Sequence, residues 1–501
     1  MEPRLRALAD LSVPEFREGG GRHEYDGRVQ DLSPGGVARG LAALGAGERC
    51  EDGYDEAVLS TFENSTRVVY GELEFHRINP LVHVANLDVA CYDREYAPEP
   101  ERAAARRRHL VLWPEAVDAS IASLDQVSRP VAQATLGAIR GLAAGLDAGD
   151  DIDKAALVAL DRLVAHVEQA GTDGDPDAAL GGPALARYLG SAEATTVDLE
   201  TLANTADRER DRLRAMLEQT CGLIAPGRPA TETVPVLLRD HPDADGVLQE
   251  ARQVTQEVLA WTKEHDLAPY HDGECRVGPA PESRRWAMAM MSWAAPGEPE
   301  GPSWYYVTPP EESWPAEEQE EWLSVFSRTT LPGITVHEVA PGHFSHGRAL
   351  RHASTEVRRQ LVSSSFAEGW AHYVEEVAVE EGFRATDPRF AAGVVIEALV
   401  RVTRLACSIG LHTGQMSVDD AAARFAADAF LQGPAALSEA RRGTFDPGYG
   451  RYTWGKLAIT ALRERAKAAW GGEFNLPRFH RAMLALGSPP LGLLDVAVER
   501  G

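Results

Sequence analysis

Apolar residues recur every three or four positions through most of the first 224 residues, as in "AVDASIASLDQVSRPVAQATLGAIRGLAAGL". That spacing predicts amphipathic helices from Leu5 to about Ile224, with the charged positions between them forming solvated faces. Two acidic Gly/Asp segments, "GLDAGDDIDK" and "GTDGDPDAALGGP", predict exposed loops. Between Arg228 and Pro310 the texture shifts toward Pro and Gly, and "ECRVGPAP" and "SWYYVTPP" have the aromatic and β-branched content of short strands. A helix with an acidic first turn follows in "PPEESWPAEEQEEWLSVFSR". From Ser363 onward the pattern is helical again, with stops expected at "GPAALSEARRGTFDPGYG" and "GSPPLG". The expectation is a mainly α fold: an N-terminal helical lobe (1–225), an α+β segment with a small sheet (226–330) and a helical catalytic lobe (331–501), together one compact unit.

Composition narrows the function. With 44% hydrophobic residues in 501, the chain can bury a large core. Lys and Arg number 50 against 76 Asp and Glu, a net charge of −26, so nucleic acid or an anionic membrane would be repelled. A small, peptide-like substrate is the better expectation. The N-terminus, "MEPRLRALADLSVPEFREGG", shows no apolar core of signal-peptide length, and no apolar run approaches a membrane span; the expected location is cytoplasmic. Five scattered cysteines, none in CxxC spacing, read as reduced thiols.

The chemistry concentrates in "ITVHEVAPGHFSHG" (334–347). His337 and Glu338 open like a zinc-protease helix, in which a second histidine at i+4 shares the metal. Here i+4 is Pro341, and the next histidine, His343, sits at i+6, which an unbroken helix turns roughly 120° away. Pro341 removes one helical N–H and crowds the His337 carbonyl, and Gly342 frees the backbone. A break at this point can bring His343 back beside His337. "SSFAEGWAHYVEE" then offers Glu368 as third ligand on a second helix, leaving one coordination position for water.

"HEVAPGH" followed by "EGWAHY" resembles the bacterial family catalogued as domain of unknown function 885, regarded as zinc-dependent hydrolases related to the gluzincin peptidases. "HEYDGRVQDLSP", "SWYYVTPP", "RVTRLACSIGLH", "RYTWGKLAI" and "FHRAMLALGSPPLGLL" resemble further family landmarks in the right order, so the likeness spans nearly the whole chain. It implies two helical lobes around a deep cleft, with His337, His343 and Glu368 holding Zn2+ and Glu338 acting as general base. Tyr452, in a segment similar to the family's Tyr-x-x-Gly landmark, is the candidate donor to the oxyanion. The chain departs from the family pattern at Phe344, Ser345 and His346, at His372 and at Ser408. His372 lies four residues after Glu368, on the same helix face.

Three readings follow. The leading one is hydrolysis of an amide or peptide bond in a short peptide-like metabolite. The second is a lyase or oxidative enzyme in which His346 or His372 joins the ligands and iron or manganese replaces zinc; the third is a non-catalytic binding protein of the same fold. For substrate binding, an edge strand at "SWYYVTPP" could pair with an extended peptide through its main chain, with Tyr305 and Tyr306 beside it. His412 could line the cleft, and Arg401 and Arg404, on one helix face, could clamp a substrate carboxylate.

Overall fold

The computed structural model describes residues 1–281, 285 and 287–501. Helices dominate, as the periodicity predicts. The N-terminal part contains α1 (Glu99–Ser123), α2 (Arg129–Gly141), α3 (Asp151–Asp173) and α4 (Leu199–Ile224), and α5 (Ala244–Glu264) leads into the sheet. Beyond the sheet come α6 (Leu331–Glu338), α7 (His343–His352), α8 (Ser364–Glu380), α9 (Pro388–His412), α10 (Val418–Ala429), α11 (Gly433–Phe445) and α12 (Arg451–Trp470).

Burial ties the ends of the chain together. One apolar cluster runs from Leu5, Leu8 and Tyr54 through Trp370 and Phe366 to Phe479 and Ala497. A second lies within residues 87–167, around Trp113 and Leu160. A third joins Leu202 and Leu213 of α4 to Leu399 and Val402 of α9. Each fully buried Leu, Val or Phe in these clusters contributes about 1.5–3 kcal/mol. All twenty residues from Leu331 to Leu350 are buried, so α6 and all but the last two residues of α7 have no solvated face; α6 packs on α5, α8 and α9, and α7 on α8.

The sheet has three strands, β1 (Cys275–Pro279), β2 (Ala289–Ser292) and β3 (Ser303–Val307), in the order β1-β3-β2. β3 pairs parallel with β1 and antiparallel with β2. This corrects the expectation of an edge strand at "SWYYVTPP": β3 is central and both of its main-chain edges are used, so no peptide can add there. A second correction concerns residues 433–445. The Gly-Pro pair read as a stop instead starts α11, because Pro434 in the first turn needs no N–H partner; the break comes only at Asp446–Gly450. All five cysteines are free. Among the described residues no helix is long and apolar enough to cross a membrane.

Candidate metal centre

The break between the two histidines forms where Pro341 requires it. α6 ends at Glu338, the Ala340–Pro341 bond is cis, and α7 starts at His343. Gly342 has no substitute here, since a Cβ on it would lie 1.9 Å from the His337 carbonyl oxygen. Trp370 of α8 donates its indole N–H to the Pro341 carbonyl at 2.9 Å, anchoring the turn to the helix that carries Glu368. α8 is in turn pressed on α12 through glycines, because a Cβ on Gly455 would meet the Ser365 carbonyl at 1.9 Å and one on Gly369 would meet Gly455 at 2.5 Å.

The turn returns His343 to His337, with ring centroids 4.7 Å apart and planes at 88°. Glu368 Oε2 lies 3.5 Å from His337 Nε2 and 3.3 Å from His343 Nε2, and the three ligand atoms fall within 4.8 Å of one another. Ligands about 2.0–2.1 Å from a tetrahedral ion are separated by about 3.4 Å, so the observed spacings fit zinc. The residues named from the sequence as ligands are thus brought together.

Behind them stands a residue that the sequence reading missed. Glu375 places Oε1 2.6 Å from His337 Nδ1, while its Oε2 accepts from Arg401 Nη1 at 2.8 Å and faces His372 Nδ1 at 3.3 Å. A carboxylate on the far ring nitrogen fixes the tautomer and aims Nε2 at an ion. Burial pushes the Glu375 carboxyl upward, but Arg401, His372 and His337 outweigh it and hold the group well below the usual range. Burial and Arg401 lower His337, yet its hydrogen bonds to Glu368 and Glu375 prevail and lift it to about 9. Burial opposes ionisation of Glu368 too, and the two histidines overcome it. These pairings hold both carboxylates ionised beside the imidazoles, the charge a cation seeks.

Glu338 is buried and its carboxyl is pushed upward, chiefly by burial. Among the described residues its Oε2 has no hydrogen-bond partner. An orphaned carboxylate oxygen next to a ligand histidine suits a proton acceptor.

The extra histidines do not join the cluster. His346 faces the Gly487 carbonyl at 3.3 Å, packs against Trp293 and Phe366, and is lowered to about 3 by burial. Burial, against the pull of Glu375, lowers His372 to about 4. Both stay neutral and stand behind or beside the ligands. His412 is at the far end of α9, where its Nδ1 meets the Leu180 N–H at 3.4 Å; eleven residues separate it from Arg401, about 16 Å along a helix. Tyr305 is fully buried with its hydroxyl 3.4 Å from Thr335, and Tyr306 stacks on Trp304. Tyr452 does approach the centre, its ring 6.3 Å from that of His337. Arg401 and Arg404 flank that ring at 6.0 and 5.2 Å. Arg401 serves Glu375, and Arg404 forks onto Glu439 at 2.7 and 2.8 Å.

Two solved structures share this fold. One, from Shewanella oneidensis, is described as "a putative lipoprotein of unknown function"; it matches at 20% identity and TM-score 0.78 over 98% of this chain and 97% of that one. The other, "the putative lipoprotein from Colwellia psychrerythraea", matches at 18% identity and TM-score 0.76 over 100% and 97%. No curated protein matches the chain. Residues 14–498 match the model of the family described as bacterial protein of unknown function (DUF885), and the chain belongs to that family.

Proposed function

We propose that this protein is a zinc-dependent hydrolase of amide or peptide bonds in small, peptide-like substrates. The observation that carries the reading is the spacing of His337, His343 and Glu368, which suits a tetrahedral ion, beside a buried carboxylate with an oxygen that has no hydrogen-bond partner among the described residues. A zinc ion held there supplies a Lewis acid and lowers the pKa of bound water toward about 7.

The chain's own groups divide the remaining work. Glu338 Oε2 accepts a proton from the attacking water and returns it to the departing nitrogen. Glu375 holds His337 in one tautomer, and Arg401 holds Glu375. We assign donation to the developing oxyanion to Tyr452, a reading supported by its ring lying 6.3 Å from that of His337. With His346 and His372 both outside the cluster, the iron or manganese reading lacks the extra ligand it was built on.

The test is metal analysis of the purified protein together with Glu338→Gln, assayed by mass spectrometry on a mixture of di- and tripeptides. One zinc per chain in both proteins, with turnover at least about a hundredfold lower in the variant, is expected. An equal rate in Glu338→Gln would sink the reading, and purified protein devoid of metal would turn it toward a binding protein.

A further inference from the structure

A second group of side chains lies against the same centre. α9 sets Arg404 over the Tyr452 ring, α11 sets Arg442 over Tyr449, and α12 begins at Arg451; these three guanidinium groups share two carboxylates, Glu439 and Asp446. Arg404 uses Nε and Nη2 on Glu439. Arg442 uses the same two nitrogens on Asp446, at 3.3 and 3.1 Å, and Arg451 reaches the other oxygen of Asp446 through Nη2. Other acidic groups nearby have partners of their own: Glu375 pairs with His337 and Arg401, Glu397 with Arg401 at 3.6 Å, Glu368 with the two ligand histidines, and Glu193 with Ser363 and the Leu491 N–H.

Among the described residues, therefore, the Nη1 ends of all three arginines have no protein acceptor. They are not sealed in the core, since the side chains of Arg404, Arg442 and Arg451 remain 15%, 32% and 21% exposed. Their position relative to the metal ligands is close. The Arg404 guanidinium is 5.2 Å from the Tyr452 ring centre, which is 6.3 Å from the His337 ring. The Arg404 guanidinium therefore lies at most about 11.5 Å from the His337 ring, within reach of a short peptide whose successive α-carbons are about 3.8 Å apart. Planar guanidinium groups with free N–H donors match a carboxylate's two oxygens better than any neutral group.

We propose that Arg404, Arg442 and Arg451 receive the terminal carboxylate of the substrate, making the site one that releases a C-terminal amino acid from a short peptide. This specificity rests on the hydrolase reading above. The bond that forms joins the water oxygen to the penultimate carbonyl carbon; the bond that breaks is the last C–N bond. The proton taken by Glu338 goes to the leaving amine, giving a shortened peptide acid and a free amino acid. The anchored carboxylate belongs to the leaving residue, which fixes the scissile bond one step away.

The experiment uses the full-length, zinc-supplemented protein and a set of di- and tripeptides, each supplied as the free acid and as the C-terminal amide, followed by mass spectrometry. Free acids are expected to disappear about 10- to 100-fold faster than their amides, with single C-terminal residues released. Arg442→Gln, at the most exposed of the three, should raise KM for free acids about tenfold, with kcat and the rate on amides little changed. Equal rates on acids and amides, or cleavage at internal bonds, would overturn the carboxylate proposal while leaving the hydrolase reading intact. Absence of any Glu338-dependent cleavage would remove both. Should Arg442→Gln fail to fold, the acid-to-amide ratio of the unmodified protein decides alone.

Discussion

Glu375 Oε1 stands 2.6 Å from His337 Nδ1, and its other oxygen takes Arg401 at 2.8 Å, so an ionised carboxylate wholly inside the protein is held between an imidazole and a guanidinium. Its removal should loosen the metal without touching a ligand atom. Glu375→Gln, which keeps the shape but loses the charge, is expected to weaken zinc affinity about 10- to 100-fold. Competition with a chromophoric chelator measures this, and unchanged affinity would mean that Glu375 serves only the packing of α8 on α9.

Of the histidines flanking the site, His343 lies in the ligand cluster and His372 outside it, and metal content should follow. His343→Ala is expected to lose stoichiometric zinc, because Nε2 of this residue lies 3.3 Å from the shared Glu368 oxygen. His372→Ala should retain it, since the His372 ring meets Glu375 and not the ligand cluster. Elemental analysis of both variants checks the pair; zinc lost in His372→Ala would restore the reading with an additional histidine ligand.

The break in the ligand helix was legible because proline chemistry is local: Pro341 at i+4 forbids the helix whatever surrounds it, and Gly342 points to the same place. Glu368 was legible from its motif. Glu375 was not, because "YVEE" reads as an ordinary solvated face of a helix, and only the packing of α9, which brings in Arg401, shows it to be buried. A usable signal existed in its spacing, seven residues after Glu368 and so nearly on the same face. The rank of β3 within the sheet was equally hidden: its parallel partner β1 lies 28 residues upstream in a Pro- and Gly-rich stretch, and pairing over that distance leaves no local pattern. The start of α11 was misread because Gly-Pro signals both a stop and a first helical turn.

The crossing of α8 and α12 sets how near Tyr452 can come to Glu368, and two glycines permit it. A methyl group at position 455 would meet the Ser365 carbonyl at 1.9 Å and Gly369 Cα at 2.8 Å, both backbone atoms that cannot swing aside. Gly455→Ala is therefore expected to destabilise the fold by about 1–3 kcal/mol or more, although alanine is the better helix former. Urea denaturation followed by circular dichroism gives the value. A neutral or stabilising result would show that the helices separate at no cost, against the packing described.

Glu193 is one group through which stability should respond to pH. It accepts from Ser363, the N-cap of α8, at 3.0 and 3.1 Å and from the Leu491 N–H at 2.9 Å, joining the N-terminal part of the chain to the metal-site helix and the C-terminal segment. Burial pushes its carboxyl up to about 7, against the opposing pull of Leu491, Ser365, Ser363 and Arg451. The folded protein thus binds this proton more tightly than the unfolded chain, where the pKa is near 4.5. Its contribution is whole below pH 4.5 and is lost as pH rises through about 7, with at most about 3 kcal/mol at stake. Glu193→Gln cannot ionise, so unfolding free energies measured in urea should show the variant gaining on the native protein between pH 5 and 8 by up to that amount. A difference that stays constant across this range would place the Glu193 pKa outside it.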